Sequence, residues 1–163
     1  MERLDMLYLK MMDFDAGDPG RIGHFTKVHS FAALIGRLEG LDAATQQTLE
    51  AAAYVHDIGI GPAMARYGSG DGKYQEELGP EYARMLLSEC GFDAGTIERV
   101  AYLVGHHHTY DHVDGADYRI LIEADFLVNL SDGGCSREAV LSAYNNIFRT
   151  EAGKQICRIM FGL

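Results

Sequence analysis

The chain has no tryptophan, only three prolines and three cysteines in 163 residues, and it is short of positive charge. Lys and Arg number 14 against 24 Asp and Glu, a formal net charge of −10. That balance argues against a nucleic-acid polymer or an anionic membrane surface as partner. A phosphorylated metabolite stays open, because a bound cation inverts the local charge. Cys90, Cys135 and Cys157 are odd in number and lack metal-type spacing. They suit a reducing cytoplasm, where each is most simply a small buried hydrophobe. No charged-then-apolar leader and no apolar run of about 18 residues occurs, so neither secretion nor a membrane span is expected.

Strand signals are missing too. No alternating apolar pattern or Asn-Gly hairpin appears, whereas apolar residues recur every three to four positions throughout. The spacing predicts an all-α chain with a packing helix at Leu4–Met12 and a helix from about Arg21 to Glu39, ended by Gly40. Asp42 is placed to cap the next helix, which runs to His56-Asp57. Gly59 to Lys73 holds five glycines and Pro62, and reads mainly as a loop. Further helices are expected from Pro80 in a first turn to Cys90, and from Asp93 or Thr96 to His108. A polar loop, Thr109 to Ala116, leads to Asp117–Leu130. Ser136 opens a helix to about Arg149, and Thr150 one to about Met160. At 163 residues and 47% apolar, with no linker or repeat, one domain over residues 1–163 is expected.

The residues that stand out are His56-Asp57, a base and a carboxylate side by side where an alanine-rich helix stops. At about 100° per residue, Val28, Phe31 and Ile35 lie on the same face as His24, which therefore points inward. His29 falls on the far side and is expected at solvent. His56 shares its face with Leu49, Ala52 and Ala53. Asp125 lies in Ile120–Val128, a segment apolar nearly all round, where a bare carboxylate is costly unless paired, protonated or bound to metal. Glu123 projects the opposite way and reads as a surface residue.

His24, His56-Asp57 and Asp125 on successive helices resemble the HD-domain superfamily of metal-dependent phosphohydrolases. The likeness extends to Arg21–Val28, Ala51–Gly59, Val104–His108 and Glu123–Asp125, covering about residues 20 to 130, with C-terminal helices at 136–160 beyond it. It implies a helical bundle in which His24, His56, Asp57 and Asp125 hold one divalent ion. Mixed nitrogen and oxygen ligands suit Mn, Fe, Co, Ni or Zn. The implied reaction is attack of a metal-activated water on a small phosphorylated substrate, a nucleotide-like phosphomonoester or phosphodiester, with Asp57 helping to orient the water. Arg21 and Lys27, at the edges of the His24 face, are candidate phosphate contacts.

His107 and His108 flank the apolar stripe of their helix, and one of them is expected near the site as a proton donor or second-metal ligand. His106 points away, and His112 reads as solvent-facing. Two-metal members of the superfamily carry a further histidine where this chain has Gln75, a poor transition-metal ligand. Gln75 and Glu76 are instead candidate contacts to substrate or water, and one ion is the more economical reading. Tyr67, Lys73, Tyr74 and Tyr110 are loop candidates for substrate contact. The alternatives are a diiron oxygenase of the same superfamily and a non-catalytic sensor of a phosphorylated ligand. The two C-terminal helices either complete the core or form a homodimer face.

Overall fold

The computed structural model describes residues 1–163 and contains nine helices and no strand. They are α1 (Arg3–Phe14), α2 (Pro19–Leu38), α3 (Ala43–Val55), α4 (Ile60–Tyr67), α5 (Gly72–Glu89), α6 (Ala94–Val104), α7 (Ala116–Asp132), α8 (Arg137–Asn146) and α9 (Glu151–Phe161). Side-chain oxygens of Asp18, Asp42, Asp93, Ser136 and Thr150 accept from backbone N–H groups in the first turns of α2, α3, α6, α8 and α9. Each such cap stabilises its helix by about 1 kcal/mol.

The core forms where α2, α3 and α7 pack on one another, with α6 packed on α3 and α5 on α6. A continuous cluster of 34 buried residues runs from Leu7 to Cys157. Helix α7 is its axis, since Ile120, Leu121, Ile122, Ala124, Leu127 and Val128 are all sealed from solvent. Phe148, Ala152 and Cys157 join the same cluster, so α8, α9 and the turn between them help complete the core. Cys90 and Cys157 are buried, while Cys135 is exposed. No helix is long and apolar enough to cross a membrane.

Five expectations change. Gly59 to Lys73 is not mainly loop, because it contains α4 and the start of α5. Gly59 and Gly72 mark close packing instead, while Gly68 ends α4 in the left-handed region. A Cβ on Gly59 would lie 2.7 Å from the Gln75 carbonyl oxygen, so only glycine lets α5 abut the turn after His56-Asp57. Pro80 lies in the interior of α5, not its first turn, and there it lacks the N–H that would serve the Glu76 carbonyl. Helix α6 stops at Val104, which leaves His106, His107 and His108 on successive turns. Helix α8 ends at Asn146, short of Arg149.

The fifth change concerns Glu123, expected at the surface but fully buried. Its carboxylate accepts from the Arg149 and Thr150 backbone N–H groups at 3.1 and 3.2 Å and from the Thr150 hydroxyl at 2.7 Å. The start of α9 folds over it, with Gly153 leaving room for Oε1. Helical angle alone placed it outside, since the covering helix is remote in sequence.

Candidate metal centre

His56 occupies the C-terminal cap of α3, and its Nδ1 sits 2.8 Å from the Ala53 carbonyl oxygen. A carbonyl only accepts, so Nδ1 donates and a neutral ring leaves Nε2 bare. That bare nitrogen faces His24 Nε2 at 3.2 Å, Asp57 Oδ2 at 3.3 Å and Asp125 Oδ1 at 3.4 Å. His24 Nε2, one helix over, lies 3.2 Å from Asp57 Oδ2 and 3.1 Å from Asp125 Oδ1. His24, His56 and Asp57 form the tightest mutual group, and Asp125 joins through the two imidazoles.

Four atoms with lone pairs therefore converge with too few hydrogens to separate them. A positive centre has to lie among them. Ligands about 2.1 Å from one ion sit roughly 3.0–3.4 Å apart for right-angle to tetrahedral arrangements, and the spacings here are 3.1–3.4 Å. The donor set fits a borderline divalent ion. Asn129, a turn beyond Asp125 on α7, donates to Asp125 Oδ1 at 3.1 Å and fixes the carboxylate. Asn129 was not singled out in the sequence, although its i, i+4 spacing from Asp125 was visible there.

The protonation energetics agree. Burial draws the His24 imidazole down, but hydrogen bonds to Asp125 and Asp57 outweigh it and lift its pKa to about 9. Burial also opposes a charge on His56, yet the Asp57 charge and hydrogen bonds to both carboxylates raise it well above its ordinary value. Burial would push Asp57 and Asp125 up, and the surrounding imidazoles hold both carboxyls low instead. Without a metal, the cluster holds protons.

A second cluster shares Asp57. His107 Nδ1 donates to the Val104 carbonyl at 2.7 Å, so its Nε2 faces Gln75 Oε1 at 3.2 Å and Asp57 Oδ1 at 3.3 Å. Gln75 is pinned, because its Nε2 donates to the Gly70 carbonyl at 2.7 Å and turns Oε1 toward the histidines. His108 Nε2 lies 3.1 Å from the same Oε1. Asp57, His107 and His108 are close enough to share an ion. The structure thus brings both His107 and His108 to the site, and puts Gln75 beside them.

Other candidates lie elsewhere. Glu76 braces the histidine turn, accepting from the His108 N–H and the Thr109 hydroxyl. Lys27 points away and pairs with Asp132 at 2.9 Å on the exposed surface. Arg21 lines a cavity next to the centre, near Asp15 and Asp18. His106 stacks on Tyr102, and His112 is exposed. His29, expected at solvent, is half-buried, bonded to Glu50 and stacked on Tyr54. Tyr67 bonds to Glu77 and stacks on Tyr74, Lys73 lies over that second ring, and Tyr110 packs on Phe126.

A family model described as HD domain matches residues 21–133, more than half of the chain. The chain belongs to the HD-domain family. The HD-domain fold reappears in a crystal structure described as a predicted HD superfamily hydrolase from an uncultured Thermotogales bacterium. That protein is 26% identical, with a TM-score of 0.66, over 98% of this chain and 83% of its own. No curated protein matches the chain. The matched span takes in every member of both clusters, from His24 to Asp125.

Proposed function

We propose that this HD-domain protein is a metal-dependent phosphohydrolase acting on a small phosphorylated metabolite, with one divalent ion held by His24, His56, Asp57 and Asp125. The observation that carries the reading is the convergence of two imidazole nitrogens and two carboxylate oxygens with no hydrogen-bond donor able to satisfy them all. Mn, Fe, Co, Ni and Zn all suit that donor set. When bound, such an ion supplies Lewis acidity toward phosphate oxygens and lowers the pKa of water.

The chain's own residues do the rest. Asp57 directs Oδ2 to the first cluster and Oδ1 to His107, so it links the ion site to a second set of imidazoles. His107 and His108, beyond Asp57, are the groups placed to take up or deliver a proton as the ester bond breaks. Arg21, one turn before His24 on α2, offers a guanidinium to phosphate. The likeness to a protein described as an HD superfamily hydrolase supports hydrolysis as the reaction class.

The test is turnover across a panel of phosphomonoesters and phosphodiesters with Mn²⁺, Co²⁺ or Ni²⁺, before and after chelation. Hydrolysis that is lost on chelation and restored by metal is expected. No turnover of any ester by protein shown to contain the ion would overturn it. The second cluster keeps a diiron oxygenase in view, and metal content separates the two. One ion per chain accompanies hydrolysis, whereas two irons with oxygen uptake accompany the oxygenase.

A further inference from the structure

We propose that the cavity beside the metal centre is a polyol pocket, in which Asp15 accepts hydroxyl hydrogens from the sugar-like half of a phosphate ester. The inference rests on the hydrolase reading and names the class of substrate that would use it. The cavity measures about 440 Å³ and lies between the end of α1, the first turns of α2 and α4, and Tyr82 of α5. That volume is in the range of small-molecule sites. Two of its walls are joined through the chain to the metal centre. Arg21 precedes His24 by one turn of α2, and Gly61 and Pro62, at the start of α4, come four and five residues after Asp57.

Asp15 is the anomaly. It is only 8% exposed, and its Oδ2 has no hydrogen-bond partner. The nearest cation, Arg21 Nη1, stands 3.7 Å from Oδ1, too far for a hydrogen bond. Arg21 Nε is likewise 3.6 Å from Asp18 Oδ2, so the guanidinium is held between two acids and committed to neither. The wall therefore offers an acceptor without a donor beside donors without a close acceptor. Buried polar groups left this way cost stability and mark places where function outweighs it.

A ligand that carries hydroxyls next to a phosphate completes both halves. Its phosphate oxygens face Arg21 and the ion site, and a hydroxyl donates to Asp15, whose carboxyl turns readily about Cβ–Cγ. Phe14 and Tyr82, packed edge to face with ring centroids 5.8 Å apart, give the cavity an apolar wall for the C–H face of a sugar.

The experiment uses metal-loaded protein, with ribose 5-phosphate, propyl phosphate and p-nitrophenyl phosphate as probes. Wild type should favour ribose 5-phosphate over propyl phosphate, which has no hydroxyl, at least tenfold in kcat/KM, a comparison that needs no variant. Asp15→Asn should lower kcat/KM for ribose 5-phosphate at least tenfold, mainly through KM. It should leave p-nitrophenyl phosphate within twofold, and melting temperature and metal content should not fall. A site that hydrogen-bonds a hydroxyl rejects analogues lacking it by margins of this size or more. Equal losses on all esters, or no preference for ribose 5-phosphate in the wild type, would overturn the pocket. If no ester is hydrolysed, the reaction reading fails alone. Calorimetry then decides the pocket: ribose 5-phosphate must bind at least tenfold more tightly than inorganic phosphate, with the difference lost in Asp15→Asn, and otherwise the pocket falls.

Discussion

Asp125 and Glu123 stand two residues apart on α7, both buried and both carboxylates, yet their surroundings are opposite in kind. Glu123 meets hydrogens, from two backbone N–H groups and a hydroxyl at the start of α9. Burial pushes its carboxyl up, and those donors pull it back only in part. Asp125 meets the imidazoles of His24 and His56, which face it only by taking up protons or by sharing a cation, with Asn129 as its one neutral side-chain donor. Burial of an acid therefore does not by itself mark a metal ligand. What surrounds it does: fixed N–H and O–H donors complete a structural acid, whereas imidazoles complete one only by taking up protons or by sharing a metal ion with it.

Substituting each acid in turn sharpens that contrast. Asp125→Asn should lower bound metal, read by elemental analysis, to a small fraction of an ion per chain. Turnover should fall by more than roughly 100-fold, beyond what loss of a supporting partner alone usually causes. The melting temperature of the metal-free protein should change little at pH 9.5, where the charge that Asp125 holds on His24 is already lost. Glu123→Gln should do the reverse. An amide that turns N–H groups toward the Arg149 and Thr150 donors costs about 2–3 kcal/mol, the range for a buried group left unsatisfied. Urea denaturation would show that loss, with metal content at the wild-type level. If Glu123→Gln strips metal and Asp125→Asn does not, the distinction collapses.

The same pair shows how much was legible in the sequence. Asp125 was readable because its own helix is apolar on every side, a local pattern. Glu123 was misread because the element that buries it, the start of α9, is 26 and 27 residues further along the chain. Helical angle placed His24 and His56 inward and one of His107 and His108 near the site, but not both, because α6 stops at Val104 and the 100° rule ends with it. Glycine misled between Gly59 and Lys73, where close approach to α5 and to His108 demands it at Gly59 and Gly72 and only Gly68 serves as a left-handed helix end. Asp15 gave no sequence signal, since an acid after a helix end ordinarily belongs to a solvated turn.

A smaller effect comes from pH in the metal-free protein. His24 has a folded pKa of about 9 against an ordinary 6.5. Its contacts with Asp125 and Asp57 thus contribute stability that is full below pH 6.5 and lost as pH rises toward 9. The difference corresponds to at most roughly 3 kcal/mol. Chelator-treated protein should unfold at lower urea at pH 9.5 than at pH 6.5, and Asp125→Asn should flatten that slope. Metal retention should run the other way and strengthen with rising pH, because the ion displaces protons. A flat urea midpoint across this window would mean that the two carboxylates do not hold His24 in its charged form.

The smallest effect separates two cations that helical angle treats alike. Lys27 lies near the His24 face of α2, but its Nζ reaches Asp132, 2.9 Å away, with the two side chains 52% and 47% exposed. Asp132 is seven residues beyond Asp125, about 10 Å along α7 at 1.5 Å per residue. Lys27 is therefore held at the wrong end of that helix for a phosphate at the ion site. Its pair contributes no more than about 1 kcal/mol, as exposed ion pairs do. Lys27→Ala should leave kcat/KM within twofold and stability within that margin, while Arg21→Ala, on the opposite edge, lowers kcat/KM at least several-fold. Equal losses from the two substitutions would show that charge near α2, rather than the position of one guanidinium, governs substrate capture.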